Sequence, residues 1–153
     1  SGPATRQLFE AIAATWNSVL GADIGVHEEE FKVLIQDRQL QKLRLFFNGW
    51  SGDYLDPYTY LQCFYSSSQF NSGAYSNPRY DALLDQAARE PNESKRYQLL
   101  AQAEQLLNDD APYIPVYYYA NRYLINPYVK GWQSNLLGVI PSRYLYILQH
   151  QGN

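Results

Sequence analysis

From Ala4 to Leu20, the apolar residues Phe9, Ile12, Ala13, Trp16 and Leu20 recur at the spacing of one helical face, and Gly21 supplies the stop. Ala22 to His27 is short and rich in β-branched and small residues, the composition of a brief strand. The acidic run Glu28, Glu29 and Glu30 suits the positive end of a helix dipole, and Phe31, Leu34 and Ile35 behind it predict a second amphipathic helix. Leu43, Leu45, Phe46 and Phe47 form an apolar run closing on Asn48-Gly49, the pattern of a buried strand that ends in a turn. An α-β-α-β order of this kind favours an α/β layer architecture.

Periodicity then lapses. Trp50 to Ser76 is dense in Ser, Tyr, Asn and Gly, with a short helix expected around Pro57 to Phe64. Loops of such length inside a domain usually carry function, and the small polar stretch from Ser66 to Ser76 offers few anchors, so mobility is expected there. Asn77-Pro78 reads as an N-cap followed by a first-turn proline, ahead of Tyr80, Leu83, Leu84, Ala87 and Ala88 at helical spacing. Pro91-Asn92 ends that helix and caps another, whose stripe of Leu99, Leu100, Ala103, Leu106 and Leu107 runs up to Asp109. The two helices should be antiparallel neighbours. Ile114 to Tyr119, Tyr123 to Ile125 and Tyr144 to Leu148 are β-prone, while Pro112, Pro115, Pro127 and Pro141 confine any strands among them to short or edge positions.

Composition sharpens this picture in one respect. The 153 residues, 46% apolar and 18% charged, have room for a single sizeable core and exclude disorder and coiled coil. The departure from the ordinary is aromatic: 15 Tyr, 6 Phe and 3 Trp, with no Met. Each buried phenol oxygen needs a partner, so a tyrosine excess of this size points to a surface with work beyond core filling. A net charge of −3 without any basic cluster argues against a nucleic-acid partner. Cys63 stands alone and fits a small half-buried position. The start, Ser1-Gly2-Pro3, has no leader-like stretch, which leaves open a cytosolic protein and the interior of a longer secreted chain.

Signals for catalysis are sparse. His27 and His150 are far apart and no metal-ligand spacing occurs, so neither a metal nor a cofactor is expected. No nucleophile elbow, phosphate loop or dinucleotide fingerprint is found. Asp53 and Asp56, set among Trp50, Tyr54, Tyr58 and Tyr60, suggest two carboxylates in a sugar cleft, and so an alternative reading as a sugar-binding module or carbohydrate-active enzyme. A binding role uses the same residues more directly. Trp50-Ser51-Gly52-Asp53-Tyr54 follows an expected strand, at the end where α/β folds place ligands. Gly52 admits close backbone approach, Trp50 and Tyr54 offer flat faces, and Asp53 offers a negative charge for a cation. In Tyr117-Tyr118-Tyr119, alternate rings of a strand would point to opposite faces.

Several blocks together resemble the carboxyl-terminal part of the periplasmic oligopeptide-binding proteins, the extracellular solute-binding proteins of ABC importers. They are Gly49-Trp50-Ser51-Gly52-Asp53-Tyr54-Leu55-Asp56-Pro57, Asn77-Pro78-Arg79-Tyr80-Asp81, Arg96 through Glu104, Ala111 through Tyr119 and Val129-Lys130-Gly131-Trp132. The resemblance runs from the helix at Ala4 to the strand at Leu145. It implies an α/β fold of the periplasmic binding protein type II kind, with residues 1–153 forming one carboxyl-terminal lobe whose mixed sheet is flanked by helices. It also implies a non-enzymatic, extracytoplasmic protein, periplasmic or at the cell surface. Such a protein binds an extended oligopeptide between this lobe and an amino-terminal lobe, and delivers it to a membrane permease. By position, Asp53 would hold the ligand's α-ammonium, the backbone at Trp50 and Ser51 would pair with the peptide, Tyr119 would line the cleft, and Arg38 would meet a ligand carboxylate. Some members carry a second arginine three residues before the tryptophan, where this chain has Phe47.

Overall fold

The computed structural model describes residues 2–135 and 137–149. These fall into two compact units, one ending at Arg44 and the other beginning at Leu45.

In the first unit, α1 spans Pro3–Leu20 and α2 spans Phe31–Gln39. Proline opens α1, where a missing N–H costs nothing, and Gly21 closes it with φ of 63°, a left-handed conformation that glycine adopts without strain. Phe9, Ile12, Ala13 and Trp16 are at least half-buried along one face as their spacing predicts, but Leu20 at the end is exposed. The expected strand at Ala22 to His27 does not form. The Asn17 side chain takes the place of a neighbouring strand: its Nδ2 donates to the Ile24 carbonyl at 2.9 Å and its Oδ1 accepts from the Ile24 N–H at 2.8 Å. The acidic run acts through one specific contact as well as the dipole, because the Glu30 carboxylate caps α2 by accepting from the N–H groups of Lys32 and Val33.

The second unit is built on three helices. The α3 helix, Tyr58–Leu61, runs directly into a 3-10 turn at Gln62–Phe64, matching the short helix expected there. The α4 helix spans Pro78–Arg89 and α5 spans Glu93–Asp110. Both caps are the predicted asparagines: Asn77 accepts from Arg79 and Tyr80, and Asn92 from Lys95. The helices are antiparallel. The start of α4 is tied to the end of α5 where Asn77 Nδ2 and Tyr75 Oη both donate to Asp110 Oδ2 at 2.7 Å. Burial pushes the Tyr75 phenol up to about 12, and the neighbouring Asp110 adds to the shift.

Between α4 and α5 lies the core: Tyr80, Leu83, Leu84 and Ala87 against Leu100, Ala103 and Leu107, with Leu61 from α3. Tyr80 is wholly buried, and its phenol donates to the Leu61 carbonyl at 2.7 Å, so the polar tip is satisfied inside the core. Cys63 is more deeply buried than its half-buried expectation, and loss of solvent raises its thiol to about 11, leaving it unreactive at neutral pH.

Three strand expectations are corrected. Leu43 to Phe47, Ile114 to Tyr119 and Tyr123 to Ile125 enter no sheet among the described residues. The sheet that is described joins β1, Val129–Lys130, to β2, Tyr146–Ile147, as an antiparallel pair with Val129 opposite Ile147 and Lys130 opposite Tyr146. Of the β-prone segments only Tyr144 to Leu148 contributes. The physical reason is that strand propensity measures fitness for a half-buried pleated surface. The stretch from Ile114 to Ile125 is solvent-exposed throughout, with Pro115 removing a ladder donor. Mobility of Ser66 to Ser76 through want of anchors is likewise not what the contacts show. Asn71 donates to the carbonyls of Tyr65 and Tyr75 and accepts from the Tyr75 N–H, while the Ser66 N–H donates to Asp81.

Truncating Leu84, which has no exposed surface, should therefore cost about 2–5 kcal/mol of stability, whereas Leu124→Ala, at a fully exposed position, should stay within about 0.5 kcal/mol. Urea unfolding of the two variants beside the parent chain measures the difference; equal losses would place the core elsewhere.

Candidate functional site

Trp50 to Tyr54 form a turn ahead of α3, and the turn is held from within. The Asp53 N–H donates to Thr59 Oγ1 at 3.0 Å, and Thr59 is wholly buried. Gly52 lies at a close approach. A Cβ there would stand 2.9 Å from Tyr60 Oη and 3.0 Å from Thr59 Cγ2, so a side chain would have to displace the exposed tip of Tyr60. Trp50 packs its ring on Phe70 with centroids 4.6 Å apart. Its indole Nε1 is buried with no hydrogen-bond partner among the described residues. Ser51, Asp53 and Tyr54 face solvent. Partial burial raises the Tyr54 phenol above its ordinary pKa, with the nearby Asp56 charge adding to the effect.

The second acid of this region has a different role from the first. Asp56 is gripped by Arg96 of α5 in a two-pronged ion pair, Nη1 to Oδ2 at 2.6 Å and Nη2 to Oδ1 at 2.8 Å, and its Oδ1 also accepts from the Tyr58 N–H at 2.8 Å. The Arg96 hydrogen bonds hold the Asp56 carboxyl below the usual carboxylate range. Glycoside hydrolysis needs one carboxylic acid kept protonated at a raised pKa. Asp56, shifted the opposite way and with both its oxygens occupied, does not suit that acid's role.

Tyr119 approaches the same turn from the other side. Its Cε2 lies 3.1 Å from where Gly49 would carry a Cβ, and Phe47 stacks on Tyr117 with centroids 6.2 Å apart. Phe47 thus meets Tyr117, and Gly49 meets Tyr119. Tyr117 and Tyr119 pack edge to face at 5.0 Å, and the proximity of Tyr117 raises the Tyr119 phenol above its ordinary pKa. Arg38 lies in the last turn of α2, in the first unit, half-buried, where loss of solvent lowers the pKa of its guanidinium. Within the second unit, Trp50 to Tyr54 are contiguous and Tyr119 stands against the neighbouring Gly49, while Arg38 belongs to the other unit.

Sequence reasoning passed over Thr59 and Phe70, named Tyr60 only as one of the aromatics around the two acids, and gave Arg96 no role of its own. For Thr59 and Tyr60 a faint signal existed in the glycine seven and eight residues earlier, since a glycine amid aromatics often marks a crowded approach. Nothing local announces Arg96, 40 residues from its partner. Among the described residues no group of His, Cys, Asp and Glu is arranged to hold a metal ion, and His150 lies outside them. No described helix is long and apolar enough to cross a membrane.

Comparison with known proteins decides the lineage. No family model matches the chain. It is, however, 33% identical over 142 residues to the dipeptide-binding protein DppE of Bacillus subtilis, covering 93% of this chain and 26% of that protein. It is 32% identical over 146 residues to the periplasmic oligopeptide-binding protein OppA of Salmonella typhimurium, covering 95% and 27%. The solved structure of the Escherichia coli murein tripeptide-binding protein MppA superposes with a TM-score of 0.86 at 33% identity, over 97% of this chain and 30% of that one. The chain belongs to the periplasmic oligopeptide-binding protein family. Its fold is accordingly of the α/β, type II-like class shared by these binding proteins; the described residues are helix-rich with one two-stranded antiparallel sheet. The chain spans about a quarter of the length of the curated relatives it matches.

The Asp56–Arg96 pair has a pH signature. Because the folded-state pKa of Asp56 is depressed, its contribution to stability is complete above the unfolded value of about 4 and is lost as pH falls through the lower folded value. Asp56→Asn should be less stable than the parent at neutral pH, and the gap should narrow below about pH 4. Urea midpoints across that range test this; a gap independent of pH would remove the ion pair from the account.

Proposed function

We propose that this chain is a carboxyl-terminal lobe of a longer, two-lobed solute-binding protein that works outside the cytoplasm, periplasmic or at the cell surface. There it serves as the substrate-binding component of a peptide ABC importer. The relatives are named as binding proteins for dipeptides and oligopeptides, and none of those named here is described as an enzyme. In this reading an extended peptide lies between the two lobes, its α-ammonium on Asp53 and its backbone along Trp50 and Ser51. Tyr54 and Tyr119 supply flat walls, and Arg38 meets the ligand's carboxylate.

The observation that carries the reading is the contrast between two acids three residues apart. Asp56 is consumed by Arg96, whereas Asp53, on a turn braced by buried Thr59, faces solvent among aromatic rings. A fixed, accessible carboxylate beside flat apolar faces suits an ammonium ion attached to an extended chain, and main-chain pairing then tolerates many side chains. The engagement of Asp56 by Arg96 disfavours the carbohydrate-active enzyme, which would need that acid free. The exposed apolar run at Tyr117, Tyr118, Tyr119, Tyr123 and Leu124 is what a lobe shows when the remainder of a longer chain is not beside it. The permease and the amino-terminal lobe are the implied partners.

In the full-length protein, Asp53→Asn should weaken binding of a free-amino peptide by about two orders of magnitude or more, since removing one partner of an enclosed ion pair costs about 3–5 kcal/mol. N-acetylation of the peptide should do the same to the parent protein. Calorimetry giving equal affinity for acetylated and free peptides would overturn the assignment. The 153-residue chain by itself should bind such peptides weakly, because enclosure by the second lobe supplies much of the desolvation; nanomolar affinity would contradict the two-lobe reading.

A further inference from the structure

Asp53 itself is held by one contact of its backbone: its N–H donates to Thr59 Oγ1 at 3.0 Å. Thr59 sits in α3 with no exposed surface, and it is the only polar residue among the described residues counted as fully buried. A hydroxyl at such a position has to be used, because burying it unpaired is costly. The helix carrying it is itself fastened. Asp56 caps α3 by accepting from the Tyr58 N–H, its backbone carbonyl accepts from the Thr59 N–H at 3.2 Å, and Arg96 clamps its carboxylate onto α5. Gly52 lets the turn lie close over Thr59 and Tyr60, where a Cβ would meet Thr59 Cγ2 and Tyr60 Oη. These contacts form a chain of support from the α4–α5 core through Arg96, Asp56 and Thr59 to the backbone of Asp53.

We propose that Thr59 is a positioning residue for Asp53, its hydroxyl fixing the direction in which the Asp53 carboxylate leaves the turn, with the Asp56–Arg96 ion pair anchoring that turn to α5. The proposal rests on the reading of Asp53 as the receptor for a ligand amine. It adds that selectivity for a free amino end depends on a hydroxyl that touches no ligand. Orientation matters here because a charge-assisted hydrogen bond to an ammonium falls away steeply with angle and distance.

Two measurements separate this inference from the reading beneath it. The first needs no ligand: hydrogen exchange of the Asp53 amide, followed by NMR in the 153-residue chain. Thr59→Val keeps the shape and removes the acceptor, so the Asp53 amide should exchange about tenfold faster. Thr59→Ser, which restores the hydroxyl, should return it close to the parent rate, with the amides of α4 and α5 unchanged in both. The second uses the full-length protein with trialanine and N-acetyl-trialanine. The ratio of the two affinities should shrink about tenfold in Thr59→Val and recover in Thr59→Ser. An Asp53 amide equally protected in the Val and Ser variants, or an affinity ratio that Thr59→Val leaves intact, overturns the positioning role. A parent protein that does not discriminate the two peptides, while Thr59→Val still frees the Asp53 amide, would instead overturn the ammonium reading and leave the bracing of the turn standing.

Discussion

The grip of Arg96 on Asp56 is the constraint on which the rest of the second unit's surface depends. The pair joins a helix whose position is set by the core to the turn ahead of α3. Leu100, Ala103 and Leu107 fix α5 against α4, and Arg96, one turn before Leu100, then reaches out with a rigid planar fork. A bidentate guanidinium–carboxylate contact sets orientation as well as distance, which a lysine could not do. At 24% and 18% side-chain exposure the pair is shielded enough to matter and open enough to avoid the full desolvation penalty. Everything presented from Trp50 to Tyr54 inherits its geometry from this one link and from Thr59.

Two carboxylates three residues apart therefore carry opposite duties. Asp56 has spent its charge on structure; Asp53 keeps its side chain at the surface and commits only its backbone N–H. On the proposed reading, this division makes an acidic, aromatic loop a cation receptor rather than an acid–base pair. The tyrosines divide similarly. Tyr80 is sealed in the core, Tyr75 and Tyr65 tie loops to helices through Asp110 and Asp85, and Tyr113 packs on Phe64. Tyr54, Tyr117, Tyr118 and Tyr119 stay exposed and are available to a partner. Tyr97, which its helical position makes a candidate for packing, is exposed instead, beneath the Arg96 guanidinium at 5.9 Å.

How much of this could be read from the sequence follows from the range of the forces involved. Helices α1, α4 and α5 were legible within about a turn, because their caps and apolar stripes are local: Gly21, Asn77-Pro78 and Asn92 stand where the helices stop and start. Strands were legible only at Tyr144 to Leu148, because β-prone composition, as at Ile114 to Tyr119, says nothing about whether a neighbour is there to pair with it. Val129–Lys130, with weaker propensity, found one in Tyr146–Ile147. The turn at Trp50 to Tyr54 was legible as a place, through Gly52 and its aromatics. Its mechanism was not, since Arg96 lies 40 residues away and Thr59 gives no sign in sequence that its hydroxyl faces back toward Asp53.

The central claim is that this surface receives a peptide by its free amino end. Native mass spectrometry of the full-length protein, purified without denaturation, addresses it most directly by weighing whatever occupies the cleft. The account predicts masses of short peptides that shift on treatment with an amine-reactive reagent after release. An oligosaccharide, a chelated metal or an amino-blocked ligand as the bound species would contradict it.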